Sequence, residues 1–263
     1  VFEHLLASDS GLRMRAYVSA TGSAGTIAAG DHLKHRYGAR IVAMEAAECP
    51  TLLYNGFGEH NIQGIGDKHI PYIHNAMNTD FVAAVSDEAT DSLFMVFGTD
   101  AGRQYLRERH GFDEATIEAL SHMGFSSICN VLGAIKTAKY LGLGASDVVM
   151  TVATDGADLY LTEYEKIERE RFGGEFDMIH AAESFARFMT GQATDHLLEL
   201  RHEDRERIFN LGYFTWVEQQ GVDFEDFVAR REQRYWDDLL PLVEAWDEQI
   251  EAFNAKTGVV IGE

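Results

Sequence analysis

The stretch Arg15-Ala-Tyr-Val-Ser-Ala-Thr-Gly-Ser-Ala-Gly-Thr26 is an apolar run that breaks into a glycine loop and then opens a helix. Such a junction is an anion site. Glycine lets the backbone turn tightly and come close to a ligand. Free N–H groups of the first helical turn, together with the helix dipole, then favour negative charge. Ser23 and Thr26 add hydroxyls, so a phosphate group is the natural guest. A strand–glycine–helix turn also serves as a bare structural connection, and this segment alone leaves both readings open.

Outward from it, strands and helices alternate from Leu12 to about Gly156. Apolar runs at 16–20, 41–46, 81–85 and 148–153 predict buried parallel strands. Between them, 24–37 (Ile27, Leu33, Tyr37) and 127–141 (Ile128, Leu132, Ile135, Tyr140) have helical spacing. This predicts an α/β fold, a parallel sheet flanked by helices. Sites in such sheets lie at the carboxyl ends of strands, where Gly22, Ser86 and Ser126 fall. An insertion at about 98–123 predicts a further helix from near Asp113. From about Gly173 strand-like runs vanish and charged, aromatic-studded helical patterns follow at 195–220 and 224–253, with a kink expected at Pro241. The expected division is 1–172, an α/β domain, and 173–263, an acidic helical extension.

A second glycine segment reads His60-Asn-Ile-Gln-Gly-Ile-Gly-Asp-Lys-His-Ile-Pro71. With Gly22-Ser-Ala-Gly-Thr-Ile27 it resembles the cysteine synthase and cystathionine β-synthase group of pyridoxal-phosphate (PLP) enzymes, the fold type II or tryptophan-synthase-β-like family. Three kinds of segment in order strengthen the resemblance: Ala39-Arg-Ile-Val-Ala-Met-Glu-Ala-Ala-Glu-Cys-Pro50 and Phe81-Val-Ala-Ala-Val-Ser-Asp-Glu-Ala89 look like its strand ends, Gly124-Phe-Ser-Ser127 stands at its Gly-Ile-Ser-Ser-Gly, and Asp147-Val-Val-Met-Thr-Val-Ala-Thr-Asp-Gly156 looks like its late strand. It covers about residues 1 to 170. It implies that Gly22, Ser23, Ala24, Gly25 and Thr26 cradle the PLP phosphate, that Ser126 meets the pyridine nitrogen, and that Gln63, Gly64, Ile65 and Gly66 border an amino-acid substrate. The implied chemistry is β-elimination or β-replacement, because a neutral hydroxyl at the ring nitrogen restrains the electron sink. Family members are usually dimers, so a homo-oligomer is implied.

The family's Schiff-base lysine and its setting have no counterpart. Lys34, Lys68, Lys136, Lys139, Lys166 and Lys256 are the lysines present, and none has that context. No catalytic residue is therefore assigned. The opening Val1-Phe-Glu-His-Leu-Leu6 looks like the interior of an amphipathic helix without a cap. The expectation is a C-terminal part of a longer protein, separated by a split gene, by cleavage or by a chosen boundary, whose complementary N-terminal segment carries the lysine. The rival reading is a non-catalytic subunit or interaction module that kept the fold. A Rossmann-type oxidoreductase is disfavoured, since the loop lacks Gly-x-Gly-x-x-Gly spacing and a following acidic ribose ligand.

The composition of 263 residues, 46% hydrophobic, suffices for a sizeable core. There is no signal-peptide pattern and no apolar run of membrane-spanning length. Two distant cysteines, Cys49 and Cys129, make no disulfide framework and point to a reducing, cytoplasmic setting. A net charge of −21 disfavours nucleic acid and anionic membranes as partners. It also obliges any phosphate site to rely on local dipoles.

Each candidate has a plainer alternative. Ser126 is also a favoured helix N-cap type, and Asp155 reads best as a cap. Lys68 reads as a surface residue; with Asp67 and His69 it departs from the family's small and aromatic residues and leaves substrate identity open. His60, His69 and His74 fit no zinc spacing, so no metal is expected. Cys49 and Cys129 read as small buried residues. In the extension, Phe224, Phe227, Tyr235, Leu239, Trp246 and Phe253 form an apolar stripe that must be covered by the α/β core, by the N-terminal segment or by a second copy.

Overall fold

The structure is a computed structural model that describes residues 1–66 and 68–258; Asp67 and the last five residues of the expected extension lie outside them. Four strands are parallel: β1 (Arg13–Ala20), β2 (Arg40–Ala46), β3 (Phe81–Val85) and β4 (Asp147–Thr151), in the order β4-β1-β2-β3. A fifth, β5 (Leu197–Glu199), runs antiparallel along the free edge of β3. In chain order the helices are α1 (Phe2–Ser8), α2 (Ala29–Tyr37), α3 (Thr51–Tyr54), α4 (Asp87–Gly98), α5 (Asp100–His110), α6 (Glu114–Ser121), α7 (Phe125–Leu141), α8 (Leu161–Arg171), α9 (Met178–Ser184), α10 (His202–Tyr213), α11 (Phe224–Ala229), α12 (Gln233–Asp237) and α13 (Leu242–Thr257). Among the described residues no helix is long and apolar enough to cross a membrane.

β1, β2 and β3 are buried on both faces, whereas β4, expected to be buried, is half-buried along its length; the period of two decides which side chain goes where. Val18, Val42, Met44, Phe81 and Ala83 point to one side, against Leu93 and Phe94 of α4 and Phe125, Ile128 and Leu132 of α7. Ile41, Ala43, Val82 and Ala84 point to the other, against Ile27, Leu52, Leu53, Ile208, Phe209 and Phe227. Register aligns the strand ends, with Ala20 beside Met44 and Ala46 beside Val85. The connections after β1, β2, β3 and β4 therefore emerge along one rim.

Four further expectations need correction. The helix predicted over 24–37 begins at Ala29, and 25–28 form a turn with mixed bonds, Ala28 N to Ala24 O (3.2 Å) and Ala29 N to Thr26 O (3.3 Å). The cause lies beneath: the Thr26 carbonyl accepts from the Tyr17 hydroxyl (2.8 Å) and its hydroxyl accepts from Ser19 (3.0 Å), which holds this turn off a regular spiral. Beyond Gly173, β5 breaks the all-helical expectation; three residues are too few to show alternation, and the open edge of β3 recruits them. Pro241 does not kink a helix but precedes the first turn of α13, where its missing N–H costs nothing. Finally, the apolar stripe is not one surface. Phe227 is 2% exposed within the core, whereas Trp246 and Phe253 are 52% and 65% exposed and α13 buries no residue. The insertion holds α5 as well as the expected helix, α6, which Asp113 caps through Thr116 N (2.7 Å).

Glu45, near the end of β2, is 2% exposed and accepts from the backbone of Leu52 (2.9 Å) and Leu53 (2.8 Å) at the start of α3. Desolvation outweighs these bonds and pushes its carboxyl up to about 7. A carboxyl raised in the folded state contributes stability that is full below its unfolded value of 4.5 and is lost as pH rises through about 7. Urea unfolding of the Glu45→Gln protein is expected to lose the decline in stability that the parent shows across that window; an unchanged slope would refute the assignment.

Candidate functional site

The two glycine segments meet on the rim. The loop after β1 is fastened from three sides: Thr21 N donates to Met44 O (2.9 Å), Gly66 N donates to Thr21 O (2.5 Å), and Ala20 N donates to Asn130 Oδ1 (2.7 Å). Asn130, 1% exposed on α7, also donates to Val152 O (2.9 Å), so one side chain ties the ends of β1 and β4 together. Gly22 faces Gly64 to Gly66 so closely that a Cβ on it would lie 3.7 Å from Gly64 O. Gly64 and Gly66 have φ of +82° and +72°, which glycine alone adopts without strain. Ala24, at φ +66°, holds a left-handed position in the first segment with a side chain present.

The second segment is anchored through Asn61. Its N–H donates to Asp87 Oδ2 (2.6 Å) and its amide to Asp91 Oδ1 (2.8 Å), while Arg171 Nε reaches Asp91 Oδ2 (2.6 Å). Burial, then the neighbouring Glu48, push Asp87 up to about 6. Ser86 caps α4 by accepting from Ala89 N (3.2 Å).

Ser126 is 2% exposed, and its hydroxyl bonds Thr154 and the Asp155 carboxylate. It is not a cap: Gly124 occupies the N-cap of α7, and Ser126 is the second residue of the helix. Nor does the Asp155 carboxylate cap a helix. It gathers the hydroxyls of Ser126, Thr154 and Tyr160, and only its backbone oxygen meets Gly124 N (3.2 Å). Asp155 Oδ2 also lies 3.3 Å from where a Cβ on Gly64 would stand. Gly64 and Ser126 thus share one carboxylate, and Gly22 joins them only through its approach to Gly64.

A cavity of about 650 Å³ opens between the segments, lined by Gly22, Ser23, Gly64, Ile65, Gly66, His69, Pro71, Thr215 and Trp216. Of the residues the sequence singled out, Ala24, Gly25, Thr26, Gln63 and Ser126 are not part of this lining; Ala24 and Ser126 are buried, whereas Gly25 and Thr26 are exposed. None of the six lysines lines it. Lys68 is exposed, while Lys136, 2% exposed, bonds Asp195 Oδ1 (2.6 Å) and borders a separate cavity of about 240 Å³ beside Ser86. Sequence reasoning missed Pro71, Thr215 and Trp216; periodicity makes the last two ordinary members of a helix. Burial pushes His74 down to about 4, and Cys49 and Cys129 are buried and unpaired. Among the described residues no group of three or more His, Cys, Asp or Glu side chains is arranged to hold a metal ion.

No family model matches the chain. Solved structures similar to it include a hydrogen sulfide-producing enzyme from Fusobacterium nucleatum (22% identity, TM-score 0.48, covering 69% of this chain and 48% of that one). Others are O-acetylserine sulfhydrylase isoform 3 from Entamoeba histolytica (21%, 0.47, 70% and 48%) and an O-acetylserine-dependent cystathionine β-synthase from Helicobacter pylori (25%, 0.43, 61% and 46%). The chain spans about half the length of each.

The left-handed backbone at Gly66 and the His60 Nε2 atom 2.9 Å from its missing Cβ make it the tightest point of the site. Gly66→Ala is expected to cost about 1–2 kcal/mol from backbone strain alone, read as a lower urea midpoint. A protein of unchanged stability would show that this segment is not held as described.

Proposed function

We propose that this chain is the cofactor-binding part of a PLP-dependent enzyme acting by β-elimination or β-replacement on an amino acid. The observation that carries the reading is the meeting of the Gly22–Thr26 loop, the Gly64–Gly66 segment and Ser126 on one rim of the parallel sheet. The residues fit such a group. Backbone N–H groups of the Gly22–Thr26 loop and the Ser23 hydroxyl would supply donors for a phosphate. The Ser126 hydroxyl, which donates to Asp155 in this arrangement, would turn its proton to the ring nitrogen. Ile65 and its flanking glycines would border the amino acid. Bound PLP supplies the electron sink that stabilises charge at Cα.

The lysine of the reaction would come from an N-terminal segment or partner chain, and the working unit would be a homo-oligomer in the cytoplasm. The absence of any lysine from the cavity lining favours, as a second reading, a non-catalytic module that keeps the cofactor fold.

The isolated chain should bind PLP reversibly and release it to inorganic phosphate. Ser23→Ala and Ser126→Ala should each weaken binding about tenfold, the size expected for one hydrogen bond to a charged group. Borohydride reduction followed by peptide mapping should label no lysine stoichiometrically. Stoichiometric label on Lys68 or any other single lysine would defeat the split-lysine proposal, and phosphate-insensitive binding would defeat the loop assignment.

A further inference from the structure

The wall of the cavity facing the two glycine segments comes from the far end of the chain. α10 does not stop at Tyr213; it continues to Gln219 as a π-helical turn, with Gln220 N bonded to Thr215 O (3.0 Å). Such wide turns are rare and concentrate at functional sites. This one brings the adjacent residues Thr215 and Trp216 to the same cavity. Thr215 Oγ1 lies 3.0 Å from His69 Nδ1, and Trp216 Nε1 donates to Ile70 O (2.8 Å).

The indole is braced from behind. It stands edge-on to Tyr72 with ring centroids 5.4 Å apart, and the Arg230 guanidinium lies 4.1 Å from the Tyr72 centroid. Arg230 also faces Phe227 (5.0 Å) and Phe209 (5.3 Å), is 2% exposed, and leaves Nε and Nη1 without hydrogen bonds. A buried guanidinium is costly unless something compensates it. Stacking on three rings does so in part and stiffens the support of Trp216.

Resting on the cofactor reading, we infer that Thr215 and Trp216, with His69, form the specificity wall of this site and select an uncharged amino-acid substituent with a flat or apolar body. The chemistry of the lining decides the class. Beyond the phosphate loop it offers an indole, a proline ring, a hydroxyl and an imidazole; among the described residues no Lys, Arg, Asp or Glu lines it. A substituent ending in carboxylate or phosphate would lose its water there without a fixed counter-charge. Arg230 is a positioning residue, acting on Trp216 through Tyr72.

The test uses stable reduced adducts of PLP with glycine, S-phenyl-L-cysteine and O-phospho-L-serine, so that no lysine is needed. Binding to the chain is measured by calorimetry, and Trp216 emission is followed in a Trp236→Phe, Trp246→Phe background where it is the only indole. The S-phenylcysteine adduct should bind about 10–200-fold tighter than the O-phosphoserine adduct, the range one pocket contact sets, and should shift Trp216 emission. Trp216→Ala and the milder Thr215→Val should weaken the S-phenylcysteine adduct about tenfold more than the glycine adduct, eroding that preference. Arg230→Met should move the emission without changing affinity for the glycine adduct. Binding of the glycine adduct with equal affinities for the other two, or a silent Trp216, overturns the wall and leaves the cofactor reading standing. Failure of the glycine adduct to bind overturns the cofactor reading, and the wall with it.

Discussion

The hydrogen bond from Gly66 N to Thr21 O closes a gap that a parallel sheet leaves open by construction. Where parallel strands end, their last backbone groups lose ladder partners and must find others or stay in water. Here the ends of β1 and β2 find them sideways. Thr21 N turns to Met44 O, Ala47 N to Val85 O, and Ala20 N to the Asn130 side chain. Thr21 O takes the N–H of a residue forty-five positions on, in the second glycine segment. That bond draws backbone against backbone, and glycine at 64 and 66 supplies the left-handed turns, φ +82° and +72°, that bring the second segment up to Gly22. The cavity is what remains beside this seam.

With a net charge of −21, the proposed anion would gain nothing from the field of the whole chain and would depend on local N–H groups of the Gly22–Thr26 loop. The acids nearest the strand ends are themselves tied down. Glu45 is occupied by the first N–H groups of α3, Asp87 by Asn61, and Asp155 by three hydroxyls. Burial holds Glu45 and Asp87 above the usual carboxylate range, and Glu45, pushed up to about 7, carries only part of its charge near neutral pH.

The four parallel strands, the helix α7 and the cap of α6 were legible in the sequence because each rests on a local rule: an apolar run, a 3.6 period, an Asp before a helix. The two glycine segments were legible as motifs, but their contact was not, since it depends on register between strands. What failed to show was what tertiary partners impose. β5 exists because β3 had a free edge. The late start of α2 reflects Tyr17 and Ser19 bonding Thr26 from below. Ser suits a cap as well as a polar contact, and only the start of α7, with Gly124 at its N-cap, removes the cap reading of Ser126. Thr215 and Trp216 carry no sequence signal at all; a π turn is invisible to a 3.6-residue period because it is a departure from it.

The extension divides by the same logic of cover. Phe227, Phe209 and Arg230 are sealed against Tyr72 and the sheet, so this part of it is continuous with the core and with the wall of the cavity. α13 is the opposite case. Trp246, Ile250 and Phe253 are each more than half exposed, on a helix with no buried residue. A sixteen-residue helix has little stability of its own in water. The first half of the extension is thus sealed into the core beside the cavity, while its last helix offers apolar side chains that the described residues do not cover.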